Sequence, residues 1–172
     1  MKKSNINEDI EPVIRRYSDM LFRMCFLILK NEQDVKDVLQ ETFIRYLTKK
    51  PVFQAEEQRK TWLIKVSQNK CKEFLRFHKR HSYTPLEEVE NSVMITDGIG
   101  YESRETMAVI WNLEPKLKSV VILYYLEGYS VKKTAELLSI SEAAAKKRLQ
   151  RAREKMQALN AQITGGMAYE TR

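Results

Sequence analysis

Apolar residues recur at spacings of three and four along most of this chain, and that spacing predicts helices. Ile10, Ile14, Tyr17, Leu21, Cys25 and Ile28 mark one face of a first helix, with Asn31 as its expected stop. A second should begin near Asp34, whose charge suits the positive end of a helix dipole, and turn Val35, Val38, Leu39, Thr42, Phe43 and Tyr46 inward. After Pro51 and a polar QAEEQ run, a third carries Trp62, Leu63, Val66, Phe74 and Phe77 and should end near Arg80. Three helices with short connections make a small bundle.

The pattern then lapses. From Ser82 to about Gly100 the chain holds Pro85, two glycines and the acids Glu87, Glu88 and Glu90, with no sustained period, and it reads as a flexible linker. Periodicity returns near Glu105 with Met107, Val109, Ile110 and Leu113. Pro115 fits a helical first turn, where a missing N–H costs nothing. Leu117, Val120, Val121 and Tyr124 form the inner face there, and Gly128 suits a left-handed C-terminal cap. A short helix from Val131 to Leu138 follows, with Val131, Ala135 and Leu138 inward. Ser139-Ile140-Ser141 breaks it, and Ser141 can cap the next helix. That helix buries Ala145, Leu149, Ala152, Met156 and Leu159. Its opposite face shows Ala143, Ala144, Lys147, Gln150 and Arg151, flanked by Lys146 and Arg148.

Helix, tight turn and cationic helix form a helix-turn-helix. Small residues let such a helix approach base edges in the major groove, and the cations neutralise phosphates. The expected fold is therefore all-α: two small helical domains, at 1–81 and 105–161, with a linker at 82–104 and a tail at 162–172.

Charge supports a polyanionic partner, since the net formal charge is +7. Five glycines and four prolines leave too few breakers for a turn-rich β fold. Cys25 and Cys71 both fall within helical patterns and read as reduced core residues. His78, His81 and Cys71 lack a fourth ligand at zinc spacing, so no metal or other cofactor is expected. No phosphate loop, HExxH or nucleophile elbow occurs, and the carboxylates have no convergent His or Cys, which excludes the common catalytic designs. No apolar run reaches the roughly 18 residues of a membrane span and no signal segment opens the chain, so a cytoplasmic protein without membrane insertion is expected.

From Leu113 to Leu159 the sequence resembles the promoter-binding domain of bacterial sigma factors, specifically the extracytoplasmic-function group of the sigma-70 family. Lys146-Lys147-Arg148-Leu149-Gln150-Arg151-Ala152-Arg153 matches that family's basic run. The chain departs from the pattern with Ala143-Ala144-Ala145 for Gly-Thr-Val, Lys133-Thr134-Ala135 for Glu-Ile-Ala, and Ser139 for a glycine. DVKDVLQETFIRY, Asp34 to Tyr46, is similar to the family's acidic polymerase-binding helix, with Val35 and Lys36 in place of Ala-Glu. Thr61 to Arg80 matches the following promoter-opening helix through Trp62, Leu63, Asn69, Leu75, Arg76 and Arg80.

The resemblance implies a sigma factor that is not an enzyme. Its partners would be RNA polymerase core, promoter DNA and an anti-sigma factor, and the linker would run through polymerase channels. Polymerase contact would fall to Asp34, Asp37, Gln40, Glu41 and Phe43. The melted element would meet Lys60, Lys65, Asn69, Lys72, Arg76, His78, Lys79 and Arg80. The upstream duplex would meet Lys132, Ser141, Glu142, Ala144, Lys146, Lys147, Gln150, Arg151 and Arg153. Two other readings stay open at this point: a stand-alone helix-turn-helix regulator, and a helical interaction module with no DNA role.

Overall fold

The computed structural model describes residues 10–81 and 108–167. The chain divides into two compact units, 1–86 and 87–172, and every described element is helical. The linker expectation from Ser82 to Gly100 lies outside the described residues.

In the first unit α1 spans Glu11–Leu29, α2 Glu32–Lys49 and α3 Glu56–Arg80. Pro12 sits in the first turn of α1, where its missing N–H is harmless. The helix stops at Lys30, which turns left-handed (φ 58°) and donates its N–H to Phe26 O at 2.8 Å. Asn31, expected as the stop, instead starts α2. Its side chain accepts from the Asp34 N–H at 2.9 Å, one of the donors a helix start leaves unpaired. Acids open α3 and His78, Lys79 and Arg80 close it, so charge suits the helix dipole at both ends.

Leu21, Cys25, Val35, Val38, Thr42, Leu63, Ile64 and Ser67 form the fully buried centre. The α1 stripe turns inward as expected at Tyr17, Leu21, Cys25 and Ile28 and departs from the sequence expectation only at its N-terminal end. Val13 is buried and Ile14 is 38% exposed, because the run through Tyr17 and Leu21 continues N-terminally on Val13. Tyr17 fixes α1 to the start of α3 by donating its O–H to Glu56. Burial first, then the Glu56 bond, pushes its pKa up to about 12, so the phenol stays protonated at neutral pH. Cys25 and Cys71 are free, buried and hydrogen-bonded to each other. That bond, together with burial, holds the Cys71 thiol well above its usual range. Trp62 is half-buried in a lateral aromatic cluster, 5.9 Å edge-on to Tyr46 and 6.2 Å from Phe53.

In the second unit a helical turn at 108–111 buries Val109 and Ile110. Helix α4, Pro115–Val121, continues into a π-helical turn, Ile122–Leu126. A uniform helix was expected here. The π turn is closed by Glu127 N–H donating five residues back to Ile122 O at 2.9 Å, and a 3.6-residue pattern cannot register it. Gly128 (φ 71°) then takes the left-handed position, as expected.

Helix α5, Val131–Leu138, is capped by Ser130, whose hydroxyl accepts from the Lys133 N–H at 3.1 Å. It ends on Ser139 in the left-handed region (φ 54°), a conformation that glycine adopts without a Cβ penalty. Helix α6, Glu142–Met167, runs past the expected domain end at 161 through Gly165 and Gly166. Ala145, Leu149 and Ala152 are buried against the unit, while Met156 and Leu159 are half-buried. Lys118, unremarked in the sequence, is 1% exposed, with its ammonium 5.5 Å from the Trp111 ring centre. Among the described residues no helix is long and apolar enough to cross a membrane.

Candidate functional site

In the first unit the expected polymerase residues spread over three environments. Asp34 is largely covered, and its Oδ2 lies 3.0 Å from His78 Nε2 on α3. A carboxylate can only accept, so that ring nitrogen carries the proton. Glu41 accepts from Lys70 of α3 at 2.8 Å, and Lys70 also meets Glu73 at 2.9 Å. These two carboxylates raise the Lys70 pKa. Asp37 is half-buried and takes a long bond from Gln33 (3.3 Å), and Gln40 is exposed. Phe43 is a correction. At 8% exposure its ring packs into the bundle and is not on the outward edge of α2 where the resemblance put it.

Along α3, Lys65, Asn69, Lys72, Arg76 and Lys79 follow one another at four, three, four and three residues, and so share a stripe. Lys65, Arg76, Lys79 and Arg80 are exposed, while Asn69, Lys72 and Lys60 are half-buried. His78 was expected on this stripe and is not. It continues the inward line of Ser67, Cys71 and Phe74 and turns to Asp34, so it ties the end of α3 to α2. Beside the stripe a groove of about 590 Å³ lies between Glu41 and the end of α3. Its wall includes Phe77, which is 56% exposed and stacks on His81 at 4.1 Å. Lys70 was not singled out in the sequence, and Phe77, expected on the inward apolar stripe of α3, is exposed instead. Only the Lys70–Glu73 spacing of three could have signalled the first.

The second unit's surface is built on α6. Ser141 accepts from the Ala144 N–H at 3.1 Å, so its oxygen serves the helix cap. With Ala145, Leu149 and Ala152 inward, helical geometry puts Ala143, Lys147, Gln150 and Glu154 on the outermost ridge. Lys146 and Arg153, seven apart, occupy one flank. Arg148, Arg151 and Lys155 occupy the other. Cations thus line both sides of a ridge that begins with small residues. Lys132 is exposed on α5, and Glu142 opens α6.

Two flank cations are held by neighbours from outside α6. Arg153 donates its Nε–H to the Tyr125 hydroxyl at 2.7 Å, and Lys155 pairs with Glu114. Lys155 and, more weakly, Arg151 lower the Glu114 pKa. Glu154 accepts from Gln150 at 3.3 Å and puts an acid on the outer ridge one turn beyond Gln150. Among the described residues no cluster of His, Cys, Asp or Glu could hold a metal ion.

The model of sigma-70 region 2 matches residues 13–81, and that of sigma-70 region 4 matches 103–156. The chain is 24% identical over 151 residues to the extracytoplasmic-function sigma factor SigX of Bacillus subtilis, covering 82% of this chain and 78% of SigX. It is 26% identical over 156 residues to SigW of the same organism, covering 83% of each. Its fold is similar to the sigma factor RpoE of Bartonella quintana, solved with the anti-sigma factor NepR. The TM-score there is 0.65, at 18% identity over 88% of this chain and 96% of that one. It is also similar to CnrH bound to the cytosolic domain of CnrY, with a TM-score of 0.58, at 22% identity over 86% and 84%.

The expectation of a cytoplasmic protein is corrected by these neighbours. RpoE is held by the anti-sigma factor NepR and CnrH by one domain of CnrY, which conflicts with reading a compartment from the chain alone, and the described residues show only that no helix is long and apolar enough to cross a membrane. The two matched regions lie in order, one in each helical unit. The chain belongs to the extracytoplasmic-function group of the sigma-70 family: it is a sigma factor, not an enzyme, that binds RNA polymerase and directs transcription.

Proposed function

We propose that the two units divide promoter recognition between them. The first, about residues 1–81, holds polymerase core through the outward edge of α2, chiefly Asp37, Gln40 and Glu41. It stabilises the melted promoter element along the α3 stripe of Lys65, Asn69, Lys72, Arg76, Lys79 and Arg80, with Lys60 at its start. The second, about 105–161, reads the upstream element as duplex with α6. The observation that carries this reading is the α6 surface, a ridge opening on Ala143 with cations along both flanks. That is the charge pattern of a helix lying between two phosphate walls. Two weak sites on one chain gain from the effective concentration that linkage provides. The complex of RpoE with the anti-sigma factor NepR supports an anti-sigma partner here as well.

The two roles should separate. Asp37→Lys should weaken co-purification with core polymerase at moderate salt and leave duplex binding unchanged. Lys147→Ala should weaken duplex binding, lower the salt slope by about one if its partner is phosphate, and leave co-purification intact. Asp37→Lys protein that still co-purifies fully, or Lys147→Ala protein with unchanged promoter output, would overturn the corresponding half.

A further inference from the structure

The π turn at the end of α4 delivers a side chain where helical periodicity would not. Tyr125 follows buried Val121 by four residues and buried Ile122 by three, so a continuing α-helix would turn it inward. It is instead 47% exposed, and Leu126 beside it is 41% exposed. Such turns strain the helix and recur at functional sites. Here the displaced ring lies under Arg153, whose guanidinium carbon is 6.0 Å from the ring centre and whose Nε–H donates to the phenol oxygen at 2.7 Å.

The donor inventory of the pair points outward. Tyr125 accepts through its oxygen, which leaves its own O–H to give. Arg153 spends Nε on the phenol, which leaves its two terminal amino groups without a partner among the described residues. Both groups are exposed, and neither has a carboxylate bonded to it. We propose that Tyr125 and Arg153 form one phosphate clamp on the flank of α6, gripping a single backbone phosphate of duplex DNA. This rests on the reading of the second unit as the duplex reader and adds Tyr125 to its contacts.

A tetrahedral anion suits the pair because an O–H and the guanidinium N–H groups can converge on separate oxygens. Lys146 lies on the same flank, seven residues earlier, and supplies a second cation toward the same wall of the groove. A brace between α4 and α6 needs no such exposure, and the buried side chains of the unit already supply one.

The test uses the full chain and a fluorescein-labelled duplex of mixed sequence, with anisotropy read across a salt series and melting followed by circular dichroism. Tyr125→Phe keeps the ring and removes only the hydroxyl. It should bind about three- to tenfold more weakly at every salt concentration, with an unchanged salt slope and melting temperature. Arg153→Gln should bind more weakly with a slope shallower by about one. The double variant should lose little more than Arg153→Gln alone, because both groups serve one phosphate. Wild-type affinity in Tyr125→Phe, additive losses, or a loss that tracks a fall in melting temperature would each overturn the clamp. Lys147→Ala separates this failure from the larger one. If Lys147→Ala loses affinity while Tyr125→Phe does not, only the clamp falls. A wild-type chain that binds no duplex removes the reading beneath it.

Discussion

In the first unit Asp34 reaches His78 and Glu41 reaches Lys70, so acids of α2 meet bases of α3 across the helix seam. In the second, Lys147 stands on the outer ridge of α6 with no bonded partner among the described residues. The flank cations there lean on a phenol and on an exposed carboxylate. The same composition of charged helices thus yields two kinds of surface. One is tied internally, and a partner must either leave its ion pairs intact or compete with them. The other is open to a polyanion at once. A charge that looks available in sequence is available only if no neighbouring helix has claimed it.

The largest effect that would sharpen this contrast lies in the tied seam. His78→Ala removes one member of a pair whose side chains are only 20% and 15% exposed. It should destabilise the first unit by about 1–3 kcal/mol in chemical denaturation. Arg151→Ala, on the exposed face of α6, should change stability by no more than about 0.5 kcal/mol while weakening duplex binding. Equal stability losses would mean that the two surfaces are not different in kind.

How far the sequence carried the account follows the same division. Helix number, the order of elements, the cap at Ser141 and the inward line of Ala145, Leu149 and Ala152 were legible. They depend on spacing within one segment. The pairings of Asp34 with His78 and of Tyr125 with Arg153 join residues 44 and 28 apart, and no local pattern announces either. His78 was placed on the strand-facing stripe because it adjoins Lys79 and Arg80, although its register along α3 follows Cys71 and Phe74. Phe43 matched a contact position by resemblance but packs inward, since the outward side of α2 is already taken by Gln40 and Glu41. The π turn was hidden because it breaks the period on which the reading relied.

A smaller effect probes the turn that orients α6. Ser139 holds a left-handed conformation at the end of α5, which glycine adopts without a Cβ penalty. Ser139→Gly should stabilise the second unit by up to about 1 kcal/mol and leave duplex binding unchanged. Thermal melting monitored with an anisotropy control checks both parts. Destabilisation would show that the serine side chain has a role the backbone does not reveal.

The central claim is that the first unit acts on opened strands and the second on duplex. Run-off transcription with core polymerase tests it most directly, comparing wild type with Asn69→Ala/Arg76→Ala on a fully paired template and on one with a pre-melted mismatched bubble. Both substitutions lie on the α3 stripe, outside the buried centre of the unit. Strand opening and capture cost a few kcal/mol, which the bubble supplies in advance. The account predicts that the double variant fails on the paired template and recovers on the bubble. Equal loss on both templates would contradict it and return these residues to folding or polymerase binding.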